Sequence, residues 1–142
     1  MLYKMKLHNE PFLAVKSNSK TIEMRLNDEK RKNIKKGDKI EFTNTSTNSV
    51  YYVEVEDVYK YPSFDELYKK HNKIHLGYKE NEMASPDDML LYYSKDDITK
   101  YGVLAIKIKP DEYENDRVRR INNTIDIVNE ILELDIEKIN NK

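Results

Sequence analysis

The chain contains no cysteine and no tryptophan. Without thiols it has no disulfide framework, no thiolate metal site and no cysteine nucleophile. It is also poor in the residues that punctuate folds, with three glycines and four prolines in 142 residues, so each one is informative. No apolar run approaches the roughly 20 residues needed to cross a bilayer. The opening stretch from Met1 to Phe12 lacks the apolar segment and small-residue cleavage site of a signal peptide. Together these absences predict a soluble, cytoplasmic protein that does not engage a membrane. No charge of one sign dominates either. Lysine plus arginine number 25 and aspartate plus glutamate 26, a net charge of −1 that excludes a uniformly polybasic binder and an acidic tail protein. There is no glycine-rich phosphate loop, no GxSxG elbow and no HExxH, and nothing asks for a cofactor.

What is present is a highly charged chain (36%) whose 11 tyrosines and 3 phenylalanines still permit a modest core. Leu2–Leu7 alternates and predicts a first strand. Asn9 is placed to cap a short helix through Lys16, with Phe12, Leu13 and Val15 inward. Thr21–Leu26 alternates perfectly, with Ile22, Met24 and Leu26 on one face and Thr21, Glu23 and Arg25 on the other. After a polar turn over Asp28–Asn33, Lys36-Gly37-Asp38 turns into a strand over Lys39–Thr43. The polar loop Asn44–Asn48 then leads to a long strand, Val50–Tyr61. Ser63 and Glu66 form a capping-box signature for a helix burying Phe64 and Leu67. Ser85-Pro86 and Ser94 mark two further helical starts, and Val103–Lys109 reads as a last strand closed by Pro110. Residues 1–110 therefore read as one domain and 111–142 as a helical extension. Along that extension Val118, Ile121, Ile125, Val128, Leu132 and Ile139 recur at helical spacing. Such a helix docks on its own domain or pairs with another chain as a homodimer contact, and Asp135 on the seam weakens a coiled coil.

Few residues offer chemistry. His71 and His75 are spaced to share a helical face, but Asn72 stands where a zincin has glutamate and no third ligand is evident, so no metal is expected. Lys20, Glu23 and Arg25 set two cations around one carboxylate on or beside one strand. From spacing alone this is either a surface salt bridge of little worth or a site for a phosphate or a polar base. Charge is also unevenly spread. Residues 1–44 carry a net of +5 and residues 45–142 a net of −6. The run Lys30-Arg31-Lys32 is placed to follow a phosphate backbone, and Tyr92 and Tyr93 are candidates for stacking on bases.

The stretch Asn18-Ser19-Lys20-Thr21-Ile22-Glu23-Met24-Arg25 resembles the GxKxxExR signature of the ASCH domain family, within the PUA-like superfamily and of the bacterial single-domain type. Lys36-Gly37-Asp38-Lys39-Ile40-Glu41-Phe42 is similar to the turn and strand that follow it there. Pro11-Phe12, Tyr92-Tyr93-Ser94 and the strand Tyr101–Ile106 add to a likeness covering roughly residues 4–109. Asn18 departs from the family's glycine, though asparagine tolerates a left-handed backbone. The resemblance implies an α+β fold: a small PUA-like β-barrel with flanking helices, here with an added C-terminal amphipathic helix. It further implies a cleft lined by Lys20, Glu23 and Arg25, beside which Thr21 is a further candidate on the same strand face, and RNA or a modified nucleoside or nucleotide as partner. Some relatives resemble amidohydrolases in which a threonine three residues after the signature lysine is the nucleophile. Lys20 matches, but Glu23 occupies that place. A hydrolase acting on a modified nucleoside or RNA would then rest on Lys20 as oxyanion stabiliser and Glu23 as general base. Binding, hydrolysis and a protein-interaction module built on the last helix stay open at this point.

Overall fold

The computed structural model describes residues 1–141. The chain divides after Pro110 into two compact units. In the first, five strands form one mixed sheet, β1 (Leu2–Leu7), β2 (Ile22–Leu26), β3 (Lys39–Asn44), β4 (Val50–Tyr61) and β5 (Val103–Pro110), in the order β1-β3-β4-β5-β2. β1 pairs with β3 in parallel and the other neighbours are antiparallel. The sheet is curled into a half-barrel with helices against it, an α+β fold.

The curl has a local cause. β4 gives its first half to β3 and its second half to β5, and its register slips between Val55 and Asp57. One extra residue at such a bulge bends the strand and increases its twist. The concave face holds one core, built from Met5, Leu7, Ile40, Phe42, Val53, Val55, Leu104, Ile106 and Ile108, with Phe12 and Val15 of helix α1 (Asn9–Lys16) packed on it. Phe42 is wholly buried, which by itself is worth roughly 2–3 kcal/mol.

A second core lies on the opposite face. Ile22, Met24, Leu26, Val103 and Ala105 are covered there by Phe64 and Leu67 of α2 (Phe64–Lys70), Leu76 of α3 (Lys73–Leu76) and Met89 of a 3-10 turn (Pro86–Leu91). Helix α4 (Lys95–Tyr101) follows, and its Ile98 and Tyr101 pack on the same core. β2 and β5 are consequently enclosed on both sides. Three serines start the helical segments as their positions predict. Ser63, Ser85 and Ser94 accept from the N–H groups of Glu66, Asp87 and Asp97.

Three local expectations are corrected. Leu13 does not face inward with Phe12 and Val15 but is 51% exposed. Asn9 does not cap α1. His8 takes the cap position, and Asn9 Oδ1 accepts instead from the buried Asn44 amide at 2.9 Å, tying the helix start to the end of β3. His71 and His75 do not share a helical face. His71 is extended (φ −129°, ψ 143°) at the end of α2, and Asn72 caps the separate helix α3 through the Ile74 N–H. The His71 ring is taken up by the Tyr61 hydroxyl at 2.8 Å.

The second unit is one helix, α5 (Glu112–Asn140), opened by Asp111, whose side chain accepts from the Glu114 N–H. None of its residues is buried.

Candidate functional site

The signature residues begin at a left-handed turn. Asn18 has φ +65°, the conformation for which a glycine is usual and asparagine the next best choice. The Thr21 N–H then donates to the His75 carbonyl, and its carbonyl accepts from Ile108, anchoring the entry to β2 between α3 and β5. Gly77, at φ +109°, lies against the Lys20 side chain. A Cβ there would stand 3.1 Å from Lys20 Cδ.

Register places Glu23 opposite Ile106 and Arg25 opposite Leu104, so both point to the concave face and its core. Glu23 is 3% exposed and Lys20 7%. Glu23 Oε1 accepts from Lys20 Nζ at 3.1 Å and from the Met24 N–H at 2.9 Å, while Oε2 accepts from Arg25 Nη2 at 3.2 Å. Burial alone would push the Glu23 pKa up, but Lys20 and Arg25 outweigh it and hold the carboxylate below its ordinary range. Burial likewise works against the Arg25 charge, and Glu23 more than restores it. The face that alternation marks as polar is therefore an enclosed ion network and not a solvated surface.

Arg25 also donates from Nη2 to the Lys6 carbonyl at 2.9 Å. Since β1 and β2 are the two ends of the sheet order, this bond joins the sheet's free edges. Beside that seam lies a groove of about 430 Å³ lined by Tyr3, Lys4, Met5, Lys6, Arg25, Lys30 and Arg31. Five of the seven lining residues are cations and none is an acid.

The structure thus brings Lys20, Glu23 and Arg25 into one network and Arg25, Lys30 and Arg31 into one groove. Tyr93 joins them. Its ring stacks on Phe64 at 6.1 Å, burial raises its phenol pKa, and the charges of Arg25 and Arg31 pull the other way. Thr21 contributes its backbone anchor. Lys32 is drawn off by Glu29 at 2.7 Å, and Tyr92 is 58% exposed with its ring 6.3 Å from that of His8. Arg31 is also held by Asp28 at 3.1 Å. Tyr3, Lys4, Met5 and Lys6 are the lining residues that sequence reasoning missed. The alternation of Met5 and Leu7 inward marks Lys4 and Lys6 as outward, but nothing local shows that β1 curls round to meet β2.

A curled five-stranded half-barrel of PUA-like form, with a buried Lys-Glu-Arg network at its seam, defines the class of the domain. The ASCH domain model matches residues 5–112, and the chain belongs to the ASCH domain family. That domain is generally thought to bind RNA. The fold is shared with the hypothetical protein PH0355, whose crystal structure has a TM-score of 0.66 at 32% identity over 78% of this chain and 99% of that one. Protein PF0455 from Pyrococcus furiosus, solved by NMR, gives 0.59 at 34% identity over 80% of this chain and 100% of its own. A mutant ASCH protein from Zymomonas mobilis gives 0.54 at 15% identity, covering 76% and 67%, a likeness of fold alone. No curated protein matches the chain.

Proposed function

We propose that this chain binds single-stranded RNA along the groove at the β1–β2 seam. The observation that carries the reading is the groove's lining, with Lys4, Lys6, Arg25, Lys30 and Arg31 and no acidic side chain. A cationic track beside an aromatic ring, here Tyr3, is what a flexible polyanion with exposed bases requires. Arg25 is the ordered member. Its Nη2 is committed to the Lys6 carbonyl and to Glu23, so the guanidinium plane is fixed before any ligand arrives. Glu23 and Lys20 act as positioning residues behind it.

The hydrolase reading draws less support. A general base works best with a pKa near the operating pH and an oxygen able to reach a water. Glu23 is held ionised, 3% exposed, and already accepts from Lys20, Met24 and Arg25. A free nucleoside or nucleotide would use little of a track with five cations.

Fluorescence anisotropy with a labelled single-stranded oligoribonucleotide, titrated across salt concentrations, tests the proposal. Each phosphate contact on a single strand adds about 0.7 to the slope of log K against log salt. Lys4→Ala and Lys30→Ala should each lower that slope by about 0.7. Lys32→Ala should leave it unchanged, because Lys32 is paired with Glu29 away from the groove lining. Equal effects of all three substitutions, or none, would refute the groove. Displacement of the strand by micromolar mononucleotide would favour the small-ligand reading instead.

A further inference from the structure

The C-terminal helix carries a surface that its own residues leave uncovered. Ile121, Ile125, Val128 and Leu132 remain 49, 51, 48 and 54% exposed. From Val118 to Ile139 the seam positions step by three and four without a break, and only Asp135 among them is polar. That is three heptads, about 32 Å of helix. A contiguous apolar stripe of this length on a soluble chain marks an association surface.

Charge along the helix selects the occupant and its direction. In its first third Arg117, Arg119 and Arg120 are balanced by Glu112, Glu114 and Asp116, with Arg117 paired to Glu114 and Arg119 to Asp116. Beyond them come Asp126, Glu130, Glu133, Asp135 and Glu137, with Lys138 the sole base in this later part of the helix. Two copies set parallel and in register would place Asp135 against Asp135 and the acidic later half of one helix against that of the other. Like charges so placed repel, and two carboxylates facing each other in an apolar seam are costly. Antiparallel packing removes both conflicts. Ile125 then faces Val128 of the second copy, Ile121 faces Leu132, and Asp135 meets Val118 within a turn of the arginines. Arg119 and Glu133 come to the same level on the same side of the pair.

We propose that α5 pairs antiparallel with α5 of a second copy of this chain. Sedimentation velocity of the full chain at tens of micromolar should give a dimer. Val128→Asp, which sets two unpaired carboxylates into the seam, should weaken it on the order of a hundredfold. The chain's lack of cysteine allows a direct test of orientation. Ile121→Cys and Leu132→Cys, prepared singly and mixed under oxidising conditions, should form the mixed disulfide, while neither crosslinks to itself. A dimer with the mixed disulfide and a loss of association in Val128→Asp supports the proposal. A monomer, self-crosslinking of either single variant, a dimer without the mixed disulfide, or indifference to Val128→Asp overturns it.

Discussion

Replacing Glu23 by glutamine isolates what the buried network contributes. The amide keeps the side chain's size and can still accept from the Met24 N–H, but the charge is gone. Lys20, whose side chain is 8% exposed, is left in the interior with a neutral partner. Removing one member of a buried pair costs about 3–5 kcal/mol, because the other charge stays desolvated and unpaired. The retained amide oxygen argues for the lower end, about 3 kcal/mol. In a domain of this size each kcal/mol moves the melting temperature by about 4–8 °C, so a fall of roughly 12–24 °C is expected.

The loss should depend on pH with a definite sign. The folded pKa of Glu23 lies below its ordinary value of 4.5. Its stabilisation is therefore fully present above the unfolded pKa and disappears as pH falls through the folded one. Wild type and Glu23→Gln should differ most near neutrality, with the gap shrinking once pH falls below 4.5 and closing only below the folded pKa. Urea unfolding followed by tyrosine fluorescence at pH 7, 5 and 3 measures both effects, since the chain has 11 tyrosines and no tryptophan. A gap under about 1 kcal/mol at pH 7, the range of an exposed pair, would refute the reasoning. So would a gap that stays constant down to pH 3. The double variant Lys20→Met, Glu23→Leu separates charge from shape. It should recover part of the loss, because apolar replacement removes the desolvation cost of Lys20 and Glu23 but leaves Arg25 without its carboxylate.

Three further outcomes are expected. Gly77→Ala should cost about 1–2 kcal/mol in urea unfolding, since it forces a side chain to φ +109° and presses on Lys20 Cδ at 3.1 Å. Asn18→Gly should stabilise by a few tenths of a kcal/mol in the same assay, because the residue sits at φ +65°; a loss would mean that the asparagine side chain makes a contribution of its own. Arg25→Lys keeps the charge but cannot span Glu23 and the Lys6 carbonyl as a planar fork does. It should weaken oligoribonucleotide binding several-fold while leaving the salt slope intact, and an unchanged affinity would count against fixed orientation.

Much of the first unit could be read before its structure, because local chemistry decides it. The alternation of Ile22, Met24 and Leu26, the caps at Ser63, Ser85 and Ser94, and the turn at Gly37 are local signals, and each stands where it was expected. The site was only half legible. Glu23 and Arg25 were identified, but alternation with apolar neighbours normally marks a solvated face. Here that face looks into the half-barrel, because β2 is enclosed on both sides. The groove's other wall could not be read at all. Lys4 and Lys6 are far from Arg25 in sequence and at the opposite end of the strand order. Only the curl, set by a bulge in β4, brings them together. The histidine pair failed for a related reason. A spacing of four residues says nothing about the extended backbone at His71, which breaks the helix between them.

The bond from Arg25 to the Lys6 carbonyl closes the sheet with a side chain where a full barrel would use a ladder of peptide groups. An outer strand left in that condition is ordinarily an invitation to the next molecule, which can add its own strand and continue the sheet from chain to chain. Here the strip of β1 that would receive it bears Lys4 and Lys6, and a second molecule approaching edge to edge would bring the same two ammonium groups. The incomplete closure is thereby protected from polymerisation by mutual repulsion, and the opening stays accessible to anything of opposite charge.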